Sequence, residues 1–217
     1  MGNTLIIIIA IILLTALLFF ERNKSMPGKL LTKIPLSLLF ILAAASQNHP
    51  VPAYYRFLLI GLIFCLGGDV LLIFSQKKTF LFGLVSFLLG NIFYILAFFN
   101  VSQAGSAVWV MAIIVCVFSI GVFVWLRPYL GSMMVPVIFY IILITSMVIG
   151  AGSVLFDTIL PENGRVVVFV GALFFYFSDL FVARNRFVEK AFLNRLLGLP
   201  FYYCGQFLLA FSVGMMG

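Results

Sequence analysis

Long runs of apolar residues follow one another along almost the whole chain, and they limit its fold more than any other feature. Each is close to the roughly 17–25 residues that a helix needs to cross a hydrocarbon core about 30 Å thick. Because backbone N–H and C=O groups cannot stay unpaired in lipid, runs of this length must be helical. The sequence therefore predicts an all-α, polytopic membrane bundle of eight transmembrane helices, forming a single transmembrane domain over residues 1–217. The predicted spans lie near residues 4–20, 31–46, 55–74, 79–99, 107–126, 132–151, 165–183 and 197–216.

The composition agrees with this class and argues against several kinds of partner. Only 9% of residues are charged and the mean hydropathy is +1.27, whereas a soluble domain carries about 25% charged residues. The net charge of +7 is spread over short loops, so membrane topology explains it better than a nucleic-acid partner does. Three scattered cysteines and the single His49 lack the spacing of a metal site. We expect neither a metal nor a cofactor.

The distribution of lysine and arginine predicts how the bundle is oriented. Eleven of the 13 basic residues fall in the odd-numbered loops, and only Arg56 and Arg165 fall in the even ones. Positive residues accumulate in cytoplasmic loops, so both termini are expected outside. The first run follows MGNT, which has no basic segment, and we expect it to be a retained helix rather than a signal peptide. In a bacterium, the expected location is the cell (inner) membrane; the sequence does not determine the oligomeric state.

A weak internal repeat relates the two halves of the chain. Gly68-Asp69 and Ser178-Asp179 occur near the ends of spans three and seven. In the spans that follow, Gly83-Leu84 precedes Gly90-Asn91 by seven residues, and Gly198-Leu199 precedes Gly205-Gln206 by the same distance. Motifs that recur four spans apart keep their orientation, which is consistent with a parallel 4 + 4 duplication or with chance similarity among apolar helices.

Two of the six acidic residues, Asp69 and Asp179, lie inside apolar runs. A central aspartate costs roughly 2.5–3.5 kcal/mol on insertion scales, so it normally faces a cavity or a partner. Both are expected near the cytoplasmic ends of their spans. Span eight begins on the same side of the membrane and carries Tyr202 and Gln206, while Asn91 is expected deeper in the bilayer. These polar groups predict a pocket open to the cytoplasmic leaflet.

Each polar residue also has a purely structural interpretation. The two aspartates can be hydrogen-bonded to neighbouring helices or paired with Lys33. Asn91 and Gln206 can serve as interhelical hydrogen-bonding residues, which are common in membrane bundles. Lys33 can extend its ammonium to the membrane interface, where it would only help to set the orientation of the helix.

Taken in order along the chain, these motifs resemble those of the YhhN-type lysoplasmalogenase family. The resemblance covers most of the chain, including its length and its eight-span plan. It leads us to expect a histidine where Asn91 stands, so no proton-transfer role is assigned there. The matching residues are Lys33 with Pro35, Gly68-Asp69-x-Leu71, Gly83…Phe87…Tyr94, Pro136 with Tyr140, Gly171-Ala172…Phe174…Ser178-Asp179 and Tyr202-Tyr203…Gln206.

The resemblance implies hydrolysis of the vinyl ether bond of a lysoplasmalogen, a lysophospholipid of the bilayer, to a fatty aldehyde and a glycerophospho head group. Such a reaction needs an acid that protonates the alkene and a second carboxylate that stabilises the resulting cation and activates water. We expect Asp69 and Asp179 to form this catalytic pair, with the two roles unassigned. The residues expected to bind the substrate or water are Lys33, Asn91, Tyr140, Tyr202 and Gln206.

Two other functions fit the same residues. A small proton-coupled transporter also uses intramembrane acids and repeated halves. A non-catalytic lipid-binding protein would use the carboxylates only to satisfy neighbouring helices. The enzyme requires both carboxylates to face one cavity with an apolar slot beside it.

Overall fold

The computed structural model describes residues 2–74, 76–103 and 105–217, and within them the chain is helical without strands. The all-α class predicted from the apolar runs is therefore confirmed. Eight α-helices are found among the described residues, joined by short connections. They are α1 Asn3–Arg22, α2 Met26–Ala45, α3 Pro52–Leu71, α4 Lys77–Val101, α5 Ala107–Leu130, α6 Met134–Phe156, α7 Glu162–Ala183 and α8 Phe192–Ser212.

Seven helical segments among the described residues are long and apolar enough to cross a membrane, because residues 107–156 count as one segment of 50 residues. That segment is bent back on itself at Gly131, whose φ of +49° belongs to the left-handed region that favours glycine. A 2.7 Å hydrogen bond between Ser119 of α5 and Thr145 of α6 shows that the two helices lie side by side. The chain is an integral membrane protein. The eightfold crossing and the outside position of both termini stay predictions.

Two helices begin five residues earlier than the apolar runs that predicted them, at Met26 and Phe192 instead of residues 31 and 197. The α2 helix begins at Met26, and the Ser25 hydroxyl accepts a hydrogen bond from the Gly28 amide as its N-terminal cap. The α8 helix begins at Phe192, which places Arg195 on the helix and not in the preceding loop. Hydropathy locates the segment that lies in hydrocarbon, whereas a helix continues into the interface wherever its basic side chains can reach water.

The helix pairs α3–α4 and α7–α8 cross at the same kind of glycine contact. A Cβ atom on Gly90 would lie 3.1 Å from the carbonyl oxygen of Gly61, and one on Gly205 would lie 2.8 Å from that of Gly171. Small residues permit this close approach of backbones in membrane bundles. Both Gly61 and Gly171 stand eight residues before an intramembrane aspartate. The two crossings therefore place Asp69 and Asp179 at matching positions, as the predicted repeat requires.

Candidate active site

Asp69, in the last turn of α3, is 2% exposed and has partners on both carboxylate oxygens. The ammonium of Lys33 lies 3.0 Å from Oδ1 and also donates to the backbone oxygen of Asp69 at 3.1 Å. The hydroxyls of Ser37 and Tyr202 donate to Oδ2 at 2.7 and 2.6 Å. One cation and two hydroxyl donors compensate the desolvation of a carboxylate, so these contacts suit an ionised Asp69.

Asp179, in the last turns of α7, has a sparser environment. The hydroxyl of Tyr140 on α6 donates to its Oδ2 at 2.5 Å. Within the described part of the chain, Oδ1 of Asp179 has no hydrogen-bond partner, and no cation pairs with this carboxyl. The side chain is half-buried, so the two intramembrane acids differ in charge compensation as well as in burial.

Both carboxylates line one cavity. Its volume is about 40 Å³, enough for a small number of water molecules. The cavity lies between the ends of α2, α3, α7 and α8, and Phe87 of α4 forms one wall. Its lining residues are Lys33, Asp69, Leu72, Phe87, Ser178, Asp179, Phe181, Val182, Asn194, Arg195, Gly198, Leu199 and Tyr202.

A second cavity, of about 60 Å³, lies on the other side of Asp179. Apart from Asp179 and two tyrosines, its walls are hydrocarbon and aromatic side chains from α4, α5, α6, α7 and the turn after α7. Asp179 therefore stands between a polar chamber and an apolar slot. The lining residues of the slot are Phe80, Leu84, Val122, Leu126, Val137, Tyr140, Ile141, Ile144, Tyr176, Asp179, Leu180, Ala183 and Phe187.

Asn91 and Gln206, the remaining predicted site residues, are fully buried and line neither cavity. The Asn91 amide donates to the carbonyl of Phe87 at 3.1 Å and lies beside the Tyr140 hydroxyl. Gln206 accepts a 2.6 Å hydrogen bond from Tyr94. Oδ1 of Asn91 and Nε2 of Gln206 have no partner in the described residues. They extend the polar layer deeper into the bundle than the two carboxylates.

The sequence reasoning missed two residues of this site. Ser37 bridges the Asp69 carboxylate and the Tyr203 hydroxyl, which lies 3.2 Å from it. The sequence does indicate this position, because Ser37 stands one helical turn after Lys33 and therefore lies on the same face of the helix. Arg195 also lines the shared cavity, whereas the apolar run of span eight places it in the preceding loop, because α8 begins five residues before that run.

The cysteines and the histidine line neither of the two cavities at the carboxylates. Cys116 and Cys204 are exposed on the helix surfaces, and Cys65 is buried beside Tyr94. His49 stacks on Tyr55 with their ring centroids 3.6 Å apart. Across the described ranges, no three His, Cys, Asp or Glu side chains are grouped as metal ligands would be.

Comparison with known proteins identifies the family. The model of the YhhN family matches residues 28–213, from the first turn of α2 to the end of α8. The chain belongs to the YhhN family. The match includes both aspartates and every residue in contact with them, and the family resemblance inferred from the motifs is confirmed.

Two curated relatives are each 32% identical to the chain over 173 residues, and both are named lysoplasmalogenase. They come from Mycobacterium bovis and Mycobacterium tuberculosis. The alignment spans 77% of this chain but only 62% of the length of those relatives. No solved structure matches the chain.

Proposed function

We propose that this YhhN-family protein hydrolyses the vinyl ether bond of a lysoplasmalogen or a related lyso-ether lipid within the cell membrane. The products are a fatty aldehyde and a glycerophospho head group. The name of the two mycobacterial relatives supports this reaction. The observation that carries the proposal is that two unequally compensated carboxylates, Asp69 and Asp179, line one cavity.

The chemistry of a vinyl ether explains why two different carboxylates are useful. Protonation of the outer alkene carbon gives an oxocarbenium ion, which water then captures to form a hemiacetal. An acid must hold its proton until the alkene arrives, whereas a neighbouring carboxylate must stay ionised to stabilise the cation and to accept a proton from water. Glycosidases divide two carboxyl groups in this way around a similar cation.

The contacts support Asp179 as the acid and Asp69 as the ionised partner. Among the described residues no cation is paired with Asp179, and its Oδ1 has no hydrogen-bond partner, so this oxygen can carry the reacting proton. Lys33, Ser37 and Tyr202 hold Asp69 as a carboxylate. Asp179 protonates carbon, and Asp69 takes a proton from the attacking water. When the hemiacetal collapses, Asp69 returns its proton to the departing glycerol oxygen and Asp179 accepts the hemiacetal proton, which restores both groups.

The two cavities favour one placement of the lipid. The apolar slot beyond Asp179 would hold the start of the alkenyl chain, which leaves the ether oxygen beside the polar chamber. The chamber lies at the end of the bundle whose loops carry most of the basic residues, so we place its entrance at the cytoplasmic leaflet. Tyr140 orients Asp179 and Tyr202 orients Asp69, while Asn91 and Gln206 form the polar layer beneath the two carboxylates. Lys33 acts through Asp69, because its ammonium is already paired there.

Packing at the opposite end of the bundle favours an enzyme over a transporter. Tyr54, Phe98 and Leu209 are fully buried there, and the Tyr54 hydroxyl is hydrogen-bonded to Ser212 at 2.6 Å. An alternating-access carrier must open this end in turn, which would require these tightly packed helices to separate, whereas a hydrolase needs access from one side only.

Aldehyde release by purified protein tests the proposal directly. Wild type in detergent should convert an alkenyl lysophospholipid to equal amounts of aldehyde and glycerophospho head group. Asp69→Asn and Asp179→Asn should each reduce turnover by about 100-fold or more, as for removal of a general acid or base. Glu162→Gln, an exposed acid in the first turn of α7, is the matched control and should keep wild-type turnover. No aldehyde from wild type would reject the reaction, and full activity in both aspartate variants would reject the two-carboxylate mechanism.

A further inference from the structure

A third cavity lies directly outside the shared carboxylate chamber. Its volume is about 130 Å³. It is formed by the end of α1 and the start of α2, the residues that follow α3, Phe80 of α4, the end of α7 with the residues that follow it, and the start of α8. Leu72, Val182 and Arg195 line both this cavity and the carboxylate chamber. The two spaces are therefore adjacent, and Arg195 stands at the boundary between them.

The third cavity is strongly basic. Four cationic side chains and one carboxylate line it, and they are Lys29, Arg186, Lys190, Arg195 and Glu21. Lys29 is paired with Glu21 at 3.1 Å, and the Arg186 guanidinium lies 4.3 Å from the centroid of the Phe80 ring. In the described part of the chain, Lys190 and Arg195 have neither an ion-pair nor a hydrogen-bond partner.

These two cations differ in setting. Lys190 is exposed at the rim, whereas Arg195 is half-buried on the first turns of α8. A guanidinium presents a planar fork of donors that matches two oxygens of a phosphate, and a lysine adds a point charge. A half-buried arginine without a carboxylate partner, facing a concave space, is suited to an anionic ligand.

We propose that Arg195 and Lys190 form the binding site for the phosphodiester of the lysophospholipid substrate. This inference rests on the proposed function. It assigns residues to the phosphate of the substrate, which the two aspartates do not bind. With the phosphate at Arg195, the glycerol enters the carboxylate chamber, its ether oxygen reaches Asp179, and the chain continues into the apolar slot. Three consecutive cavities thus match the head group, the reacting bond and the tail.

The basic residues at this end also serve membrane topology, but topology alone does not explain their placement. Arg127, in the last turn of α5, lies at the same end, because neighbouring Leu126 and Leu130 pack with Phe187 of the turn after α7. It is exposed and lines none of these cavities. An orientation signal requires only the charge, whereas Arg195 and Lys190 are gathered around a concave space. Arg127→Ala is accordingly the matched control.

Substrates with and without a phosphate distinguish a phosphate-binding role of Arg195 and Lys190 from a role in membrane topology alone. We expect Arg195→Ala and Arg195→Ala/Lys190→Ala to raise KM for an alkenyl glycerophosphocholine by about 10-fold or more, since charge-assisted hydrogen bonds are lost. KM for the phosphate-free 1-O-alkenylglycerol should change much less. Arg195→Lys should recover part of the loss. An equal rise for both substrates, or a comparable loss in Arg127→Ala, would overturn the site.

A binding measurement keeps this test independent of catalysis. The saturated 1-O-alkyl glycerophosphocholine has no vinyl ether bond and cannot be cleaved, so its affinity can be measured by native mass spectrometry in neutral detergent. Weaker binding to Arg195→Ala, with no change for 1-O-alkylglycerol, supports the phosphate site even if wild type releases no aldehyde, in which case only the hydrolase proposal fails. Inorganic phosphate should compete weakly. Strong binding of inorganic phosphate that the lysophospholipid does not displace would show a free-anion site and reject the proposal.

Discussion

The ammonium of Lys33 on α2 lies 3.0 Å from the carboxylate of Asp69 on α3, and the two side chains are 6% and 2% exposed. A buried ion pair contributes little net stability, because the desolvation of two charges offsets their attraction. Losing one partner is different, since the other charge is left uncompensated in an apolar medium. The pair therefore couples the position of α2 to the charge state of the proposed active site.

Replacement of Lys33 by methionine should destabilise the bundle by about 3–5 kcal/mol, the usual cost of breaking a buried pair. The double variant Lys33→Met/Asp69→Asn should recover much of that loss, because no charge remains unpaired. Unfolding by SDS titration, followed by circular dichroism, measures both effects. Additive losses in the double variant would show that the two side chains do not interact.

Tyr140→Phe should lower kcat by about 10-fold and leave KM nearly unchanged. The substitution removes the 2.5 Å hydrogen bond to Oδ2 of Asp179, so the acid loses its fixed orientation while the cavities keep their shape. Initial rates of aldehyde release over a range of substrate concentrations give both constants.

The control for this variant is Tyr54→Phe at the opposite end of the bundle. It also removes a buried hydroxyl contact, the 2.6 Å hydrogen bond with Ser212, and should cost about 1 kcal/mol of stability. Its turnover should equal that of wild type. If both variants slow the reaction equally, the effect of Tyr140 is a general loss of packing and not orientation of Asp179.

Gly205→Ala and Gly121→Ala should change stability in opposite directions. A Cβ atom at Gly205 would lie 2.8 Å from the carbonyl oxygen of Gly171, so α7 and α8 would have to separate, at a cost of about 1–3 kcal/mol. At Gly121 nothing lies within 4 Å of the added Cβ, and alanine gains up to about 1 kcal/mol of helix propensity. Thermal unfolding in one detergent compares them. Equal tolerance at both positions would disprove the tight crossing.

Much of the fold was readable from the sequence because lipid leaves a backbone few choices. Runs of about 20 apolar residues must be helical, so the all-α class followed from composition and spacing. Helix ends were less accurate, as at Met26 and Phe192, because basic residues such as Lys29 and Arg195 can continue a helix into the interface.

The candidate site was partly readable for the same reason. An acid inside an apolar run is costly, which directed attention to Asp69 and Asp179, and both line the same cavity. The difference between the surroundings of the two aspartates could not be predicted from the sequence, because Lys33 and Ser37 reach Asp69 only through the packing of α2 against α3. Spacing within one helix shows which residues share a face, but not which neighbouring helix that face meets.

Hydrolysis in D2O should place one deuterium on the carbon next to the aldehyde carbonyl. The carboxyl proton of Asp179 exchanges with solvent, so in D2O the group delivers a deuteron to the outer alkene carbon. Turnover should also be slower in D2O, because proton transfer to carbon is part of the proposed first step.

Rapid reduction of the aldehyde to the alcohol, followed by mass spectrometry, fixes the label before the aldehyde can exchange through its enol. Unlabelled aldehyde incubated in D2O for the same time measures that background. Product with no deuterium above background would mean that no exchangeable acid protonates the alkene carbon. In that case the lipid would be cleaved by another route, and Asp179 could not be its general acid, whatever the loss of activity in Asp179→Asn.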